Sequence, residues 1–209
     1  MKILIVDDHV LVRRGMIALL KEHFKDVQLG EAGDAREGLD AVMEDGWSLV
    51  IADISMPGRS GLDLIQDIKR VKPELPVLVI SGHPEKDYAL RAIKLGAAGY
   101  VSKQSAADVL VLAVSRVLSG KRYVSQDLAE HLAGAISGDA AGDSHDMLSN
   151  RELEVLKLIA SGQTIKEISA VLALSEKTVA TYRSRIAEKM GLSSNVELTR
   201  YAMRHGLVD

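Results

Sequence analysis

Side chains that can take part in metal or phosphate chemistry follow four separate apolar runs in the first half of the chain. They are Asp7 and Asp8 after the first run, then Asp53, Ser81 and Lys103 after the others. Three carboxylates brought together repel one another unless a cation lies among them or one is protonated. Oxygen ligands favour Mg²⁺, which typically uses one or two carboxylates together with water and phosphate oxygens. A carboxylate can also attack phosphorus to give an aspartyl phosphate, whose oxygens a hydroxyl and an ammonium would contact.

Strand-like and helix-like stretches alternate over the first 120 residues. Five successive strand–helix units predict an α/β doubly wound, five-stranded parallel sheet with helices on both faces. Because ligands bind outside the carboxyl ends of the strands in such a sheet, these side chains should meet at one edge. A single Asp at a strand end is by default a cap or turn residue. The occurrence of Asp-Asp, Asp, Ser and Lys at four strand ends instead favours a metal or phosphate site. The predicted strands are 2–6, 27–32, 48–52, 77–80 and 98–102, and the predicted helices lie near 10–23, 34–45, 61–71, 85–95 and 105–119.

The composition is that of a globular protein with a substantial core. The chain has 209 residues, of which 47% are apolar and 26% charged. Cysteine is absent, which excludes disulfides and thiolate metal sites and suits a reducing compartment. No apolar run approaches the roughly 18 residues of a membrane span. We therefore expect a cytoplasmic protein with no membrane partner.

The pattern changes after residue 120. A shorter helix is predicted at 126–136, followed by a small, polar linker at 137–145. The remainder is all helical by periodicity, with helices near 150–161, 164–172, 176–190 and 195–205. These patterns divide the chain into a first domain at 1–120, a linker with a short helix at 121–147, and a small all-α domain at 148–209.

The third helix of the all-α domain follows a short turn at Leu174 and Ser175 and is basic. This arrangement is typical of a helix-turn-helix, in which the second helix enters the major groove and cations contact phosphates. By itself, a helix with four cations is more often a solvated surface. The residues expected to face outward are Lys177, Ala180, Thr181, Arg183, Ser184, Arg185 and Lys189.

Four sequence motifs carry a resemblance to a known family. They read Ile-Val-Asp-Asp-His, Asp-Ile-Ser-Met-Pro-Gly, Ile-Ser-Gly and Gly-Ala-Ala-Gly-Tyr-Val-Ser-Lys. Residues 1–120 thereby resemble the flavodoxin-like receiver domain of bacterial two-component response regulators. The resemblance implies that a sensor histidine kinase phosphorylates Asp53. It further implies that Asp7, Asp8, Asp53 and the backbone carbonyl of Ser55 bind Mg²⁺, and that Ser81, Tyr100 and Lys103 are the switch hydroxyl, the switch aromatic residue and the phosphoryl-binding lysine.

The last 62 residues resemble a LuxR-type DNA-binding domain. The motifs are Leu-Ser-Asn-Arg-Glu-Leu-Glu-Val-Leu, Gly-Gln-Thr-Ile-Lys-Glu-Ile-Ser and Leu-Ser-Glu-Lys-Thr-Val. Joined to a receiver, they indicate a response regulator of the NarL/FixJ type. Where family members often carry Lys and His, this chain has Ala180 and Tyr182, so Arg183 and Arg185 are the substitutes, and either could read a base. The expected DNA contacts are Lys177, Thr178, Ala180, Thr181, Arg183, Ser184, Arg185 and Lys189.

The predicted function is transcription control by phosphorylation. The expected partners are a sensor histidine kinase, double-stranded promoter DNA, a second copy of the chain when phosphorylated and, further downstream, RNA polymerase. Enzymatic activity would be limited to self-phosphorylation and self-dephosphorylation. One alternative is a haloacid-dehalogenase-like phosphotransferase, but such enzymes need an Asp where this chain has Ser55. A second alternative keeps the receiver and makes the helical domain a protein-docking module.

Overall fold

A computed structural model describes residues 1–44, 46–83, 85–105, 107–130 and 144–208. The chain divides into two compact units, Met1–Ile136 and Ser137–Asp209. In the part of the chain that is described, no helix is long and apolar enough to cross a membrane.

The first unit is built around five parallel strands in the order β2-β1-β3-β4-β5. Every pair of neighbouring strands is parallel. The two strands β3 and β4 are buried along their whole length, which explains their continuous apolar sequence. The predicted fold class is therefore confirmed. The strands are β1 (Lys2–Val6), β2 (Gln28–Ala32), β3 (Leu49–Asp53), β4 (Val77–Ser81) and β5 (Gly99–Ser102).

Helices cover both faces of this sheet. Met16 and Leu20 of α1 and Val114 of α5 pack in one buried cluster with alternate strand residues such as Ile5. On the opposite face Gly38 of α2 lies against Val6, whose side chain alternates with that of Ile5. The helices are α1 (Val10–His23), α2 (Ala35–Met43), α3 (Gly61–Val71), α4 (Glu85–Lys94) and α5 (Ala107–Leu118).

The strand ends differ slightly from the sequence prediction. Asp53 and Ser81 are the last residues of β3 and β4, whereas the apolar pattern predicted that these strands stop one residue earlier. Backbone pairing explains the difference, because Asp53 pairs with Ile80 and Ser81 pairs with Ser102. Both polar side chains are therefore positioned by the ladder itself.

The sheet unit continues beyond residue 120. The backbone N–H of Tyr123 donates to the Ala98 carbonyl at 2.9 Å, and its side chain packs in the core cluster. Helical backbone follows at 126–130, and the rest of the predicted helix and most of the predicted linker lie outside the described residues. The start of the linker at 121 remains a prediction, and the structure places Tyr123 in an isolated parallel bridge with Gly99 at the edge of the sheet.

The described residues of the second unit, 144–208, contain four α-helices, as predicted. Each begins at a Ser or Thr whose hydroxyl accepts the backbone N–H three residues later, which satisfies an otherwise unpaired donor. A 3₁₀ turn at Ser144–Met147 precedes them, and His145 bonds to the Tyr201 hydroxyl at 3.0 Å. This turn lies in the predicted linker but packs with the helices. The helices are α6 (Asn150–Ala160), α7 (Ile165–Val171), α8 (Glu176–Met190) and α9 (Asn195–Arg204).

Gly61, the first residue of α3, lies directly against the backbone of Asp53. Its N–H donates to the Ile54 carbonyl at 2.9 Å, and a Cβ atom there would stand 1.8 Å from the Asp53 carbonyl oxygen. We expect Gly61→Ala to lower the free energy of unfolding of the first unit by about 1–3 kcal/mol, since the backbone must move. Urea unfolding followed by Trp47 fluorescence measures this, because Trp47 is the single tryptophan.

Gly15 supplies the matched control. It lies on the exposed side of α1, and nothing stands within 4 Å of a Cβ added there. Gly15→Ala should therefore stabilise the same unit by about 0.5–1 kcal/mol through helix propensity. Equal effects of the two substitutions would contradict the close approach at Gly61.

Candidate functional site

An acidic cluster lies at the carboxyl edge of the sheet. Asp7 follows β1 and is 0% exposed, and Asp53 ends β3 and is 1% exposed. Asp8 is partly exposed beside them. One ligand atom from each of Asp7, Asp8, His9 and Asp53 lies within 4.8 Å of the others. The structure thus brings together the carboxylates that the sequence predicted to converge.

Lys103 connects two of these carboxylates from the far side of the sheet. Its Nζ lies 2.7 Å from Asp53 Oδ2 and 2.7 Å from Asp7 Oδ2. The backbone N–H of Lys103 donates to the Ser81 carbonyl at 2.8 Å, which holds this loop against the end of β4. Three carboxylates face one ammonium, so the cluster keeps a negative charge that one further cation could balance.

Burial and ion pairing act in opposite directions on the ionisable groups. Burial raises the pKa of Asp53, and the hydrogen bond and charge of Lys103 only partly offset this effect. Burial also lowers the pKa of Lys103, but its bonds to Asp53 and Asp7 outweigh burial, so the pKa of Lys103 is raised. The ammonium is therefore firmly charged, and Asp53 is a buried carboxylate that gains from a cation nearby.

The cluster fits a divalent metal ion. One buried oxygen of each of Asp7, Asp8 and Asp53 accepts no hydrogen bond of normal geometry, although two of these oxygens lie near Lys103 or His9. Buried oxygens without donors are suited to a cation, and an all-oxygen set matches Mg²⁺. The His9 imidazole lies 2.7 Å from Asp8 Oδ1. The first unit therefore carries an acidic cluster compatible with Mg²⁺.

The two predicted switch residues, Ser81 and Tyr100, are buried and meet at His83. Both have 0% exposure. The Tyr100 hydroxyl donates to the His83 carbonyl at 2.9 Å, and the backbone N–H of His83 donates to Ser81 Oγ at 3.1 Å. The aromatic ring thus lies inward, with its hydroxyl held by the loop after β4.

His83 is a residue that the sequence prediction missed. Its Nε2 lies 2.7 Å from Ser55 Oγ, and its ring stacks on Tyr88 of α4 with centroids 4.5 Å apart. It therefore links the loop that follows Asp53 to α4. The available signal was its place two residues after Ser81, but nothing in the sequence indicated that its ring would reach Ser55.

The predicted DNA-contacting residues all lie on α8, but they differ in surroundings. Val179 and Ile186 form the buried side of the helix. Thr178 Oγ1 bonds to Ser175 Oγ at 2.8 Å at the start of the helix, and Ala180 and Arg183 are half-buried. The exposed members of the predicted set are Lys177, Thr181, Ser184, Arg185 and Lys189.

Two of the predicted DNA-contacting cations have partners inside the unit. Arg183 Nε donates to the side-chain oxygen of Asn195 at 2.7 Å. Lys189 Nζ donates to Glu152 Oε2 at 2.6 Å, and this Glu is 2% exposed at the start of α6. Burial raises the pKa of Glu152, but the bonds from Lys189 and Ser149 outweigh burial and lower it.

Comparisons with known proteins agree with this geometry. Residues 3–115 match the response regulator receiver domain family, and residues 146–202 match the luxR family of bacterial regulatory proteins. The chain therefore belongs to the two-component response regulators, in the NarL/FixJ type that joins a receiver to a LuxR-type DNA-binding domain.

Individual relatives align over nearly the whole chain. The response regulator GacA of Pseudomonas syringae pv. syringae is 37% identical over 209 residues, which are 100% of this chain and 98% of that protein. UvrY of Escherichia coli is 37% identical over 98% of this chain and 94% of its own length. Among solved structures, RcsB of Salmonella enterica serovar Typhimurium bound to promoter rprA matches with a TM-score of 0.65 and 29% identity, over 96% of this chain and 97% of that chain.

The ion pair between Glu152 and Lys189 should stabilise the second unit in a pH-dependent way. We expect Glu152→Gln to lower its free energy of unfolding by about 1–2 kcal/mol, because Lys189 loses a charged acceptor but is itself 40% exposed. Since folding lowers the pKa of Glu152, its contribution is full above the ordinary value of 4.5 and is lost as the pH falls through the lower folded pKa. Urea unfolding followed by far-UV circular dichroism between pH 3 and 7 measures the loss.

Glu188→Gln is the control for this measurement. Glu188 is exposed on the same helix, and its replacement should change stability by less than about 0.5 kcal/mol. If Glu152→Gln behaves like Glu188→Gln at neutral pH, the ion pair does not stabilise the unit.

Proposed function

We propose that Asp53 is the phosphoacceptor through which a sensor histidine kinase controls DNA binding by the second unit. The observation that carries this proposal is the position of Lys103 Nζ, 2.7 Å from the buried Asp53 carboxylate at the carboxyl edge of the sheet. A fixed ammonium at that point can stabilise the charge of a phosphoryl group as it transfers.

The proposed reaction transfers a phosphoryl group from a phosphohistidine of the kinase to Asp53. A carboxylate oxygen of Asp53 attacks the phosphorus of the donor, and an O–P bond forms as the N–P bond of the kinase phosphohistidine breaks. The imidazole of the kinase is the leaving group. Asp7, Asp8, Asp53 and the backbone carbonyl of Ser55 would hold Mg²⁺. The ion would supply positive charge beside the phosphoryl oxygens.

The loops that meet at His83 are suited to report phosphorylation. A phosphoryl group adds charge and strong acceptor oxygens next to the ends of β3 and β4. Ser81 Oγ now accepts a hydrogen bond from the backbone N–H of His83, and its own hydroxyl hydrogen could be donated to a phosphoryl oxygen, so a turn of the side chain towards that oxygen would alter the bond to His83. Tyr100 bonds to the same residue, so a change at Ser81 passes to the ring and to the helix face beside it.

The output is sequence-specific DNA binding and transcription control. The luxR-family match at 146–202 supports this, as do the RcsB structures, which include complexes with promoter DNA and two dimers bound to two parallel DNAs. We infer that phosphorylation favours a dimer here, because two copies present two helices to adjacent half-sites. RNA polymerase would be the further partner of the DNA-bound regulator.

The site favours this function over an enzyme that turns over a phosphorylated substrate. Such an enzyme would need an acid two residues after the nucleophile to protonate the leaving group. That residue is Ser55, and its hydroxyl bonds to His83. Self-phosphorylation from small donors and slow self-dephosphorylation are the only reactions that we assign to the first unit.

Incubation with acetyl phosphate tests the phosphoacceptor. The full-length protein should gain one phosphoryl group in the presence of Mg²⁺, with little incorporation after chelation by EDTA, because the acidic cluster repels an anionic donor. Asp53→Asn should gain none. Intact-mass spectrometry at timed intervals measures the incorporation.

Asp40→Asn provides the matched control for this assay, since Asp40 is an exposed carboxylate on α2. It should be phosphorylated like the unchanged protein. Label that persists in Asp53→Asn, or incorporation that is equally fast without metal, would disprove the assignment.

Salt dependence of DNA binding tests the second unit. When cations of the protein contact DNA phosphates, the logarithm of the binding constant decreases as the logarithm of the salt concentration rises. The slope is about −0.9 for each phosphate neutralised. Arg185 is exposed on α8, and we expect Arg185→Ala to weaken binding of a selected duplex by about tenfold. Fluorescence anisotropy of the phosphorylated full-length protein, with the duplex selected from a random pool, measures this.

Arg204→Ala removes the same charge from the exposed end of α9 and should leave binding nearly unchanged. Equal losses in both variants would assign the effect to net charge and contradict the role of α8. Binding that does not depend on salt would favour a protein-docking role for the second unit.

A further inference from the structure

Arg183 and Arg185 occupy different positions around α8. At 3.6 residues per turn, each residue advances by about 100°. The exposed side is centred on Lys177, Thr181, Ser184 and Glu188. From that centre Arg185 lies about 70° away and Arg183 about 130° away. Arg183 is therefore on the flank of the helix, close to the buried side formed by Val179 and Ile186.

Asn195 fixes the side chain of Arg183 on this flank. Arg183 Nε donates to the side-chain oxygen of Asn195, the first residue of α9, at 2.7 Å. A guanidinium has only donors, so the amide oxygen must face it. With Nε engaged, the two terminal nitrogens remain able to form a pair of parallel bonds to one anion.

Whether the charge of Arg183 can pair with an external anion depends on whether its partner in the unit is charged or neutral. The other flank cation of α8, Lys189, is paired with a buried carboxylate, that of Glu152. Asn195 is neutral, and among the described residues Arg183 pairs with no carboxylate within 4 Å. Arg183 is thus bonded to a neutral partner and forms no ion pair in the described part of the unit, whereas Lys189 is paired with a carboxylate.

We propose that Asn195 is a positioning residue that holds Arg183 for contact with a DNA phosphate at the edge of the major groove. The inference rests on the proposed function of α8. When a helix enters the groove, its outward side faces the bases and its flanks face the two sugar–phosphate walls. Arg185, Thr181 and Ser184 are then the base-facing residues, and Lys189 acts in the fold of the unit.

The sharpest test is Asn195→Asp. An Asp at the first position of α9 favours the helix through its dipole, so the unit stays folded, but the new carboxylate pairs with Arg183. We expect binding of both the selected duplex and a random-sequence duplex to weaken equally, by about tenfold, with the salt slope reduced by about 1. Arg183→Ala should give the same pattern. The full-length phosphorylated protein is used throughout.

Val196→Asp is the matched control, because it adds the same charge one residue later at an exposed position. It should weaken binding much less than Asn195→Asp. Asn195→Ala removes only the restraint on Arg183, and we expect a loss of about 2–10-fold that disappears when Arg183 is already Ala. Thermal unfolding of each variant confirms that the unit is folded.

The outcomes separate this inference from the function on which it rests. Suppose that the protein binds duplexes with a steep salt dependence and that Arg185→Ala weakens binding. If Asn195→Asp then leaves binding unchanged, the positioning role of Asn195 is wrong and the proposed DNA-binding function stands. If Asn195→Ala still weakens DNA binding in a protein that already carries Arg183→Ala, the positioning role of Asn195 is also wrong. If no variant changes the salt slope and the unchanged protein does not bind DNA, the function itself fails.

Discussion

The burial of carboxylates around one ammonium is the constraint on which the first unit depends. Asp7 and Asp53 are almost completely buried, and taking charges out of water is costly unless they are paired. Lys103 lies within 2.7 Å of both, but it cannot neutralise a third carboxylate, Asp8. The fold therefore maintains a site with excess negative charge. A divalent metal ion would offset this excess, and its binding would then be coupled to the stability of the sheet edge.

The backbone that supports this cluster has little freedom to adapt. Asp53 is still part of the β-ladder, and its carbonyl is approached so closely by Gly61 that a methyl group would not fit. The capping box of Ser60 and Asp63 starts α3 directly beside it. The carboxylate is thus fixed at the end of a rigid strand, and the loop that follows it is joined to the loop after β4 by the bond between Ser55 and His83.

The sequence predicted what depends on local pattern and missed what depends on tertiary side-chain contacts. Apolar runs predicted the sheet, and the strand-end rule predicted that Asp7, Asp53 and Lys103 meet at one edge of it. Strand ends were off by one residue because backbone pairing, not hydrophobicity, sets them. No period or spacing indicates that His83 bonds to Ser55 or that Asn195 bonds to Arg183. These contacts join residues 28 and 12 positions apart, and they form only when the chain is folded.

In both units the partner of a cation determines what the cation can do. Lys189 is paired with one buried carboxylate, whereas Arg183 is bonded to a neutral amide and could still pair with an external anion, as we propose. Lys103 is intermediate, because it is shared between two carboxylates, one of which is the proposed acceptor. Under the proposed function, a phosphoryl group on Asp53 would compete with Asp7 for the same ammonium, because it carries a greater negative charge at neutral pH than the carboxylate alone. Phosphorylation would therefore rearrange an existing ion-pair network at the sheet edge, and this network already reaches the end of β4 through the bond between the Lys103 backbone and the Ser81 carbonyl.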